Sequence, residues 1–219
     1  MSMIAENLKR IKADLPAQVQ LVAVSKTKPN EAILEAYHAG QRIFGENKIQ
    51  EMTEKYAVLP KDIEWHMIGH VQTNKVKYMA PFVSLIHGVD SLKLLKEINK
   101  EAAKNNRIIP CLLQQFIADE ETKFGLDEHE IEQILNEETQ HLPHVKIVGL
   151  MGMATFTEDE SQIRKEFGIL KNHFDRLRKV DNSINILSMG MSGDYQIAIE
   201  EGSTMVRIGS SIFGERNYN

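Results

Sequence analysis

Leu21-Val22-Ala23-Val24-Ser25-Lys26 is an apolar run that ends on a lysine and is followed at once by Thr27-Lys28-Pro29. In a strand, successive side chains point to opposite faces. Val22, Val24 and Lys26 therefore share one face, and Leu21, Ala23 and Ser25 share the other. Both rows begin apolar, which is the pattern of a parallel strand covered on both sides. Lys26 becomes the last residue of an inward row, at the mouth of whatever the strand lines. An amine partly desolvated there is pushed toward its neutral form. A neutral lysine attacks carbonyls and forms a Schiff base. The plain alternative is a lysine that ends the strand and points to water, so the rest of the chain has to decide.

Outward from this run, short apolar stretches alternate with segments of helical period. The strand candidates lie over 21–26, 42–45, 64–68, 83–87, 109–116, 145–151, 184–188 and 205–208. Between them, apolar residues recur at helical spacing. Leu94, Leu95, Ile98 and Ala102 form one stripe. Ile163, Phe167, Leu170, Phe174 and Leu177 form the longest. An opening helix carries Ile4, Leu8, Ile11 and Leu15 on one face and is placed to cover the seam after the last strand. Parallel strands need such crossovers, and right-handed crossovers can close the sheet. Eight β-then-α units predict an α/β fold: a (β/α)₈ TIM-type barrel with an additional N-terminal helix, one domain over 1–219. A doubly wound open sheet is the alternative architecture. No Pro/Gly/Ser-rich linker divides the chain, and no internal repeat is visible.

Composition narrows the function. With 219 residues and 42% hydrophobic residues the chain can bury a substantial core. A net charge of −5 argues against a nucleic-acid partner. No apolar stretch approaches membrane-spanning length, so no membrane partner is expected. The start lacks the layout of a secretion signal, and Cys111, the single cysteine, reads as a small core residue. A cytoplasmic location is the expectation.

The other informative stretches lie near the end. After the seventh strand comes Ser188-Met189-Gly190-Met191-Ser192-Gly193-Asp194, and after the eighth comes Arg207-Ile208-Gly209-Ser210-Ser211. Barrels often hold phosphate on these two loops. Glycines let the backbone approach a ligand closely, while serine hydroxyls and main-chain N–H groups can bind an anion. Tight turns with capping serines are the plain reading of either loop alone. Arg207 shares parity with Met205, so if Met205 faces the barrel Arg207 points into the same mouth as Lys26. A buried arginine needs an acceptor, either a structural partner or a ligand.

A Schiff-base lysine, two phosphate turns and an inward arginine together describe a pyridoxal phosphate (PLP) site. The segments that carry them resemble the pyridoxal phosphate homeostasis proteins, relatives of the alanine racemase barrel. The matching stretches are Val24–Pro29, Phe44-Gly45-Glu46-Asn47 with Gln50-Glu51, and His66–Gly69 with Gln72, Asn74 and Lys75. Further on are Lys123-Phe124-Gly125, Gly149-Leu150-Met151 and the run from Leu187 to Arg216. The resemblance implies Lys26 as the aldimine lysine. Ser192 and the backbone at Gly193, Gly209 and Ser210 would hold the phosphate. Arg207 would face the pyridine nitrogen, and Asn47 would lie near the ring. Two departures, Gln115-Phe116 and Ala154, put contacts on the far side of the ring in question.

Arginine cannot accept a proton from the ring nitrogen, so a ring facing Arg207 is a weaker electron sink. A two-base racemase needs a second acid/base, which that family brings on a carboxyl-terminal domain; Tyr218, in the tail, is a poor substitute. The leading expectation is a monomeric PLP-binding protein of intracellular PLP homeostasis, without strong turnover and without assigned catalytic residues. PLP-dependent apoenzymes are candidate recipients. A PLP-dependent amino-acid racemase or decarboxylase is the alternative. A Schiff-base aldolase of sugar phosphates and a plain interaction scaffold stand behind it. No metal site is expected: His66 and His70 lie on a strand and turn, and His141 and His144 in a polar loop, without the cysteine or carboxylate company of zinc. His38, His129 and His173 read as surface residues. Met151, Met153, Met189 and Met191 read as core filling near the mouth.

Overall fold

The Ser2 hydroxyl caps the opening helix α1 (Met3–Asp14), accepting from the Ala5 amide at 3.3 Å. The computed structural model describes residues 2–119 and 124–214. After α1, strands and helices alternate: β1 (Gln20–Val24), α2 (Asn30–His38), β2 (Ile43–Glu46), α3 (Ile49–Val58), β3 (Glu64–Met67), α4 (Val76–Met79), β4 (Leu85–Val89) and α5 (Leu92–Lys104). The second half continues with β5 (Ile109–Gln114), α6 (Glu128–Gln133), β6 (Val145–Met151), α7 (Glu160–Val180), β7 (Ile186–Met191), α8 (Tyr195–Glu200), β8 (Met205–Ile208) and α9 (Ser210–Phe213). The strands pair in parallel in sequence order, and β8 pairs β1 to close a barrel. The expected TIM-type barrel with its additional amino-terminal helix is therefore observed.

Two apolar layers follow from strand alternation. Val22, Leu85, Leu112, Met151 and Met205 point inward and pack on one another inside the barrel. Leu21, Ala23, Phe44, Trp65 and Ile86 point outward and meet the helices. Each large side chain buried there contributes about 1.5–3 kcal/mol of transfer free energy. In α1, Ile4, Leu8 and Ile11 are buried, and the helix packs against α2 and α9, which covers the seam between β1 and β8. At Gly149 of β6 an added Cβ would lie 1.7 Å from the Ile186 carbonyl oxygen, so only glycine lets β6 and β7 come this close.

Several element bounds differ from the periodicity reading. β1 stops at Val24, because Lys28 N–H bonds the Ser25 carbonyl at 3.0 Å and closes a turn over Lys26 and Thr27. Lys26 thus follows the strand instead of ending it. β7 runs on through Met191, since Met191 still pairs with Arg207 of β8 after a shift in register, while Ile184 N–H closes the preceding turn on the Asp181 carbonyl. β4 starts at Leu85 and reaches Val89, and β8 is followed by the short α9, which the apolar pattern did not reveal. His173 is not on the surface. It is fully buried, with Nδ1 2.7 Å from Gln115 Oε1. The residue lies three positions after Leu170 and next to Phe174, at the edge of the apolar stripe, so the stripe is wider than its apolar members. Among the described residues, no helix is long and apolar enough to cross a membrane.

Candidate functional site

The carboxyl ends of β1, β7 and β8 form one continuous stretch of rim. β1 leads into the Lys26 turn. Lys26 is half-buried, and the next residue, Thr27, has φ +63°, in the left-handed region that a β-branched residue rarely adopts. Lys28 reaches across to the carbonyls of Phe213 and Gly214 at 3.3 and 3.1 Å, so the turn is tied to the end of α9. β8 ends beside it. A Cβ on Gly209 would lie 3.1 Å from the Val24 carbonyl oxygen and 3.2 Å from Val24 Cβ. The glycine therefore permits the backbone of β8 to lie against the residue two before Lys26.

The loops after β7 and β8 touch each other. Gly209 N–H donates to Ser192 Oγ at 3.2 Å. Asp194 shapes the first loop, its Oδ1 accepting from Met191 N–H at 2.6 Å. Gly193 is exposed, and a Cβ there would meet nothing within 4 Å, so this backbone faces open space. Ser210 is exposed and opens α9. Ser192, Gly193, Gly209 and Ser210 are thus brought together on the rim next to Lys26. Asn47 follows β2 directly, on the other side of β1, and its backbone presses on Gly69, where an added Cβ would lie 2.5 Å from the Asn47 oxygen.

Arg207 points inward, as its parity with Met205 requires. It pairs in register with Val22 and is 3% exposed. Its Nη2 donates to the Gly152 carbonyl at 3.3 Å, and its Nη1 donates to Ser188 Oγ. Burial pushes the guanidinium down to about 10, with the Asp194 charge opposing. It remains cationic at neutral pH.

Ser188 continues into two histidines that sequence reading did not place in the site. His87 Nδ1 lies 2.8 Å from Ser188 Oγ, and His87 Nε2 lies 2.9 Å from His66 Nδ1. Burial lowers His66 to about 3 and His87 well below its ordinary value, with the neighbouring His66 and Arg207 adding to the effect on His87. Both imidazoles are neutral. These contacts are mutually consistent when Arg207 donates to Ser188, Ser188 to His87 Nδ1, and His87 Nε2–H to His66 Nδ1. The detectable signal was a histidine inside each of two short apolar strands, at the parity of the inward-facing Leu85 on β4.

The remaining expectations fall as follows. Gln115 is buried and bound to His173, Phe116 is 41% exposed, and Ala154 is buried. Cys111 is a buried core residue, and burial pushes its thiol pKa strongly upward. Of the methionines, Met151 fills the barrel interior and Met189 the outer layer. Lys123, Arg216 and Tyr218 lie outside the described residues. Among the described residues, no group of three or more His, Cys, Asp or Glu side chains is placed to hold a metal ion.

Known proteins match this architecture over nearly its whole length. The family described as alanine racemase, N-terminal domain, matches residues 1–217. The pyridoxal phosphate homeostasis protein of Aquifex aeolicus is 44% identical over 201 residues, which are 91% of this chain and 88% of that protein. PipY of Synechococcus elongatus, solved without PLP, superimposes with a TM-score of 0.91 at 36% identity, covering 96% of this chain and 100% of that one. The same protein solved with PLP bound gives a TM-score of 0.87 at the same identity and coverage. A closed barrel with its rim built in this way, and relatives this similar over nine-tenths of the chain, lead to one conclusion: the chain belongs to the alanine racemase N-terminal domain family and, within it, to the pyridoxal phosphate homeostasis proteins.

Proposed function

We propose that this protein binds PLP on the carboxyl-end rim of its barrel and serves PLP homeostasis in the cytoplasm, holding or passing on the cofactor instead of turning over a substrate. The observation that carries the reading is the Gly209–Ser192 hydrogen bond, set against the end of β1. It places two serine- and glycine-bearing turns beside the turn that carries the lysine. PLP supplies an aldehyde that an amine can capture, a phosphate, and an electron-withdrawing ring.

The residues fit that group. Ser192, Ser210 and the backbone at Gly193 and Gly209 would take the phosphate, in a cradle that faces open space at Gly193 and that a Cβ on Gly209 would narrow. Lys26 would hold the aldehyde carbon through its ε-amine. Asn47 would flank the ring from the β2 side. Arg207 would face the ring nitrogen. Its guanidinium stays protonated, so it offers the nitrogen a hydrogen-bond donor and no proton acceptor. This makes the ring a weaker electron sink, without by itself excluding carbanion chemistry. Recipient PLP-dependent apoenzymes and a monomeric state belong to the same proposal.

The test is direct. Purified protein mixed with PLP should turn yellow, and borohydride should fix the cofactor on the peptide that carries Lys26. Loss of the reduced adduct in Lys26→Ala supports the assignment, and a Lys26→Ala protein that still forms it overturns the assignment. Steady racemisation of alanine by the PLP-loaded protein would replace this reading with the racemase alternative.

A further inference from the structure

On the outer side of the barrel, α3 delivers two charged side chains under the turn that carries Lys26. Glu51 and Lys55 are four apart and so share a helix face. Lys55 Nζ lies 2.7 Å from Glu51 Oε1, 2.6 Å from Glu46 Oε1 and 2.8 Å from the Ser25 carbonyl oxygen. The same Glu46 oxygen accepts from Ser25 Oγ at 2.6 Å. The same Glu51 oxygen accepts from Thr27 N–H at 2.6 Å. The residues immediately before and after Lys26 are therefore both held, and both by one three-membered cluster.

The energetics suit positioning better than stability. The Lys55 side chain is 7% exposed and that of Glu46 is fully buried. Desolvating two charges costs about what their attraction returns, so a buried pair is weak as a source of net stability. What such a pair can supply is a defined geometry. Here the geometry is unusual, because Thr27 stands at φ +63°. The Glu51 bond to its N–H orients that peptide unit and opposes its return to an ordinary conformation. Burial raises the Glu46 carboxyl to about 7, with Lys55 and Ser25 pulling the other way, and Glu46 Oε2 is buried without a partner among the described residues. Glu46 is thus held by its geometry and not by ideal solvation.

We propose that Glu46, Glu51 and Lys55 are positioning residues for Lys26: they clamp the peptide units on either side of it and so set where its amine stands at the rim. This rests on the reading of Lys26 as the PLP attachment point. None of the three needs to touch the cofactor.

The experiment compares Glu51→Ala with Glu51→Gln in the full chain. Glutamine keeps an oxygen that can accept from Thr27 N–H, and alanine removes it. The measured quantity is the rate at which added PLP becomes fixed to the Lys26 peptide by borohydride, read by mass spectrometry beside a thermal melt. Glu51→Ala should slow this reaction on the order of tenfold or more, as a misplaced reacting group does. Glu51→Gln should recover most of that loss. Where Glu51→Ala does not fold, Glu51→Asp keeps a carboxylate on α3 but draws its oxygens back from Thr27 N–H, and it should slow the reaction in the same direction. Variants that melt earlier yet take PLP at the wild-type rate overturn the proposal, since that is the signature of a structural role alone. Wild-type protein that never traps PLP on Lys26 overturns the functional reading, and the clamp with it.

Discussion

His87 Nδ1 lies 2.8 Å from Ser188 Oγ, and that oxygen also receives a hydrogen bond from Arg207. A single hydroxyl therefore joins a permanent cation to a pair of neutral imidazoles inside the barrel. The guanidinium has no carboxylate partner in this set: its described acceptors are a hydroxyl and the Gly152 carbonyl. Its hydrogen-bonded partners here are neutral oxygens, and the Asp194 charge offsets part of its field.

Replacing that hydroxyl should be expensive. Ser188→Ala leaves a buried guanidinium N–H and His87 Nδ1 each short of a partner. A lost hydrogen bond to a charged group and the unsatisfied atoms left behind together amount to about 2–3 kcal/mol. Urea unfolding should show that loss of stability with an unchanged slope. If Arg207 faces the ring as proposed, the absorbance band of added PLP should also shift, because the guanidinium would lose its Ser188 anchor.

The histidine pair sets a direction for pH dependence. His66 falls from 6.5 in the unfolded chain to about 3 in the folded protein, and His87 also falls well below 6.5. The unfolded chain then binds more protons below pH 6.5, so stability is complete above 6.5 and declines as pH falls toward 3. Each group contributes at most about 1.4 kcal/mol per pH unit in that window. Glu46 has the opposite sign, since its folded value is raised from 4.5 to about 7 and its contribution is lost as pH rises across that range. Melting curves from pH 4.5 to 7.5 should show Glu46→Gln gaining on wild type as pH rises. His66→Gln should flatten the acid decline. Parallel pH curves for all three proteins would contradict these assignments.

Two glycines should differ sharply in their tolerance. Gly149→Ala would place Cβ 1.7 Å from the Ile186 carbonyl oxygen, which forces β6 and β7 apart, at a cost of about 3 kcal/mol or more. Gly209→Ala meets Val24 at 3.1–3.2 Å, so a shift of a few tenths of an ångström accommodates it. Its loss of stability should be near 1 kcal/mol. Its PLP affinity should fall further than that if the displaced backbone belongs, as proposed, to the phosphate turn. Thermal melts and PLP titrations of the two variants separate these effects.

The sequence made Lys26, Arg207 and the two serine turns legible for specific reasons. A lysine after an apolar run, an arginine at the parity of an apolar neighbour, and glycines among serines after short strands are all local signals. A parallel α/β fold was legible too, from strands whose both faces are apolar, but that pattern suits an open doubly wound sheet as well as a barrel. Strand ends were less so. β1 stops at Val24 because of a turn closed by the Ser25 carbonyl, and β7 continues past Ser188 because Met191 still pairs with Arg207 of β8 beyond a shift in register. Hydrophobic period does not register either bond. His173 was misplaced because a polar residue at the edge of an apolar helix stripe looks exposed until its partner Gln115, just beyond the end of β5, is known.

By itself the chain determined its alternation of strands and helices, the parity that turns Val22, Met205 and Arg207 inward, and the residues that can do chemistry, since these depend on neighbours within a few positions. Only closure of the barrel decided which distant residues meet. His66, His87 and Ser188 converge from three strands, and Glu46, Glu51 and Lys55 gather beneath Lys26 from β2 and α3. Hydrogen bonds act over about 3 Å, whatever the separation along the chain. Partners brought together by packing therefore leave no pattern in the order of residues.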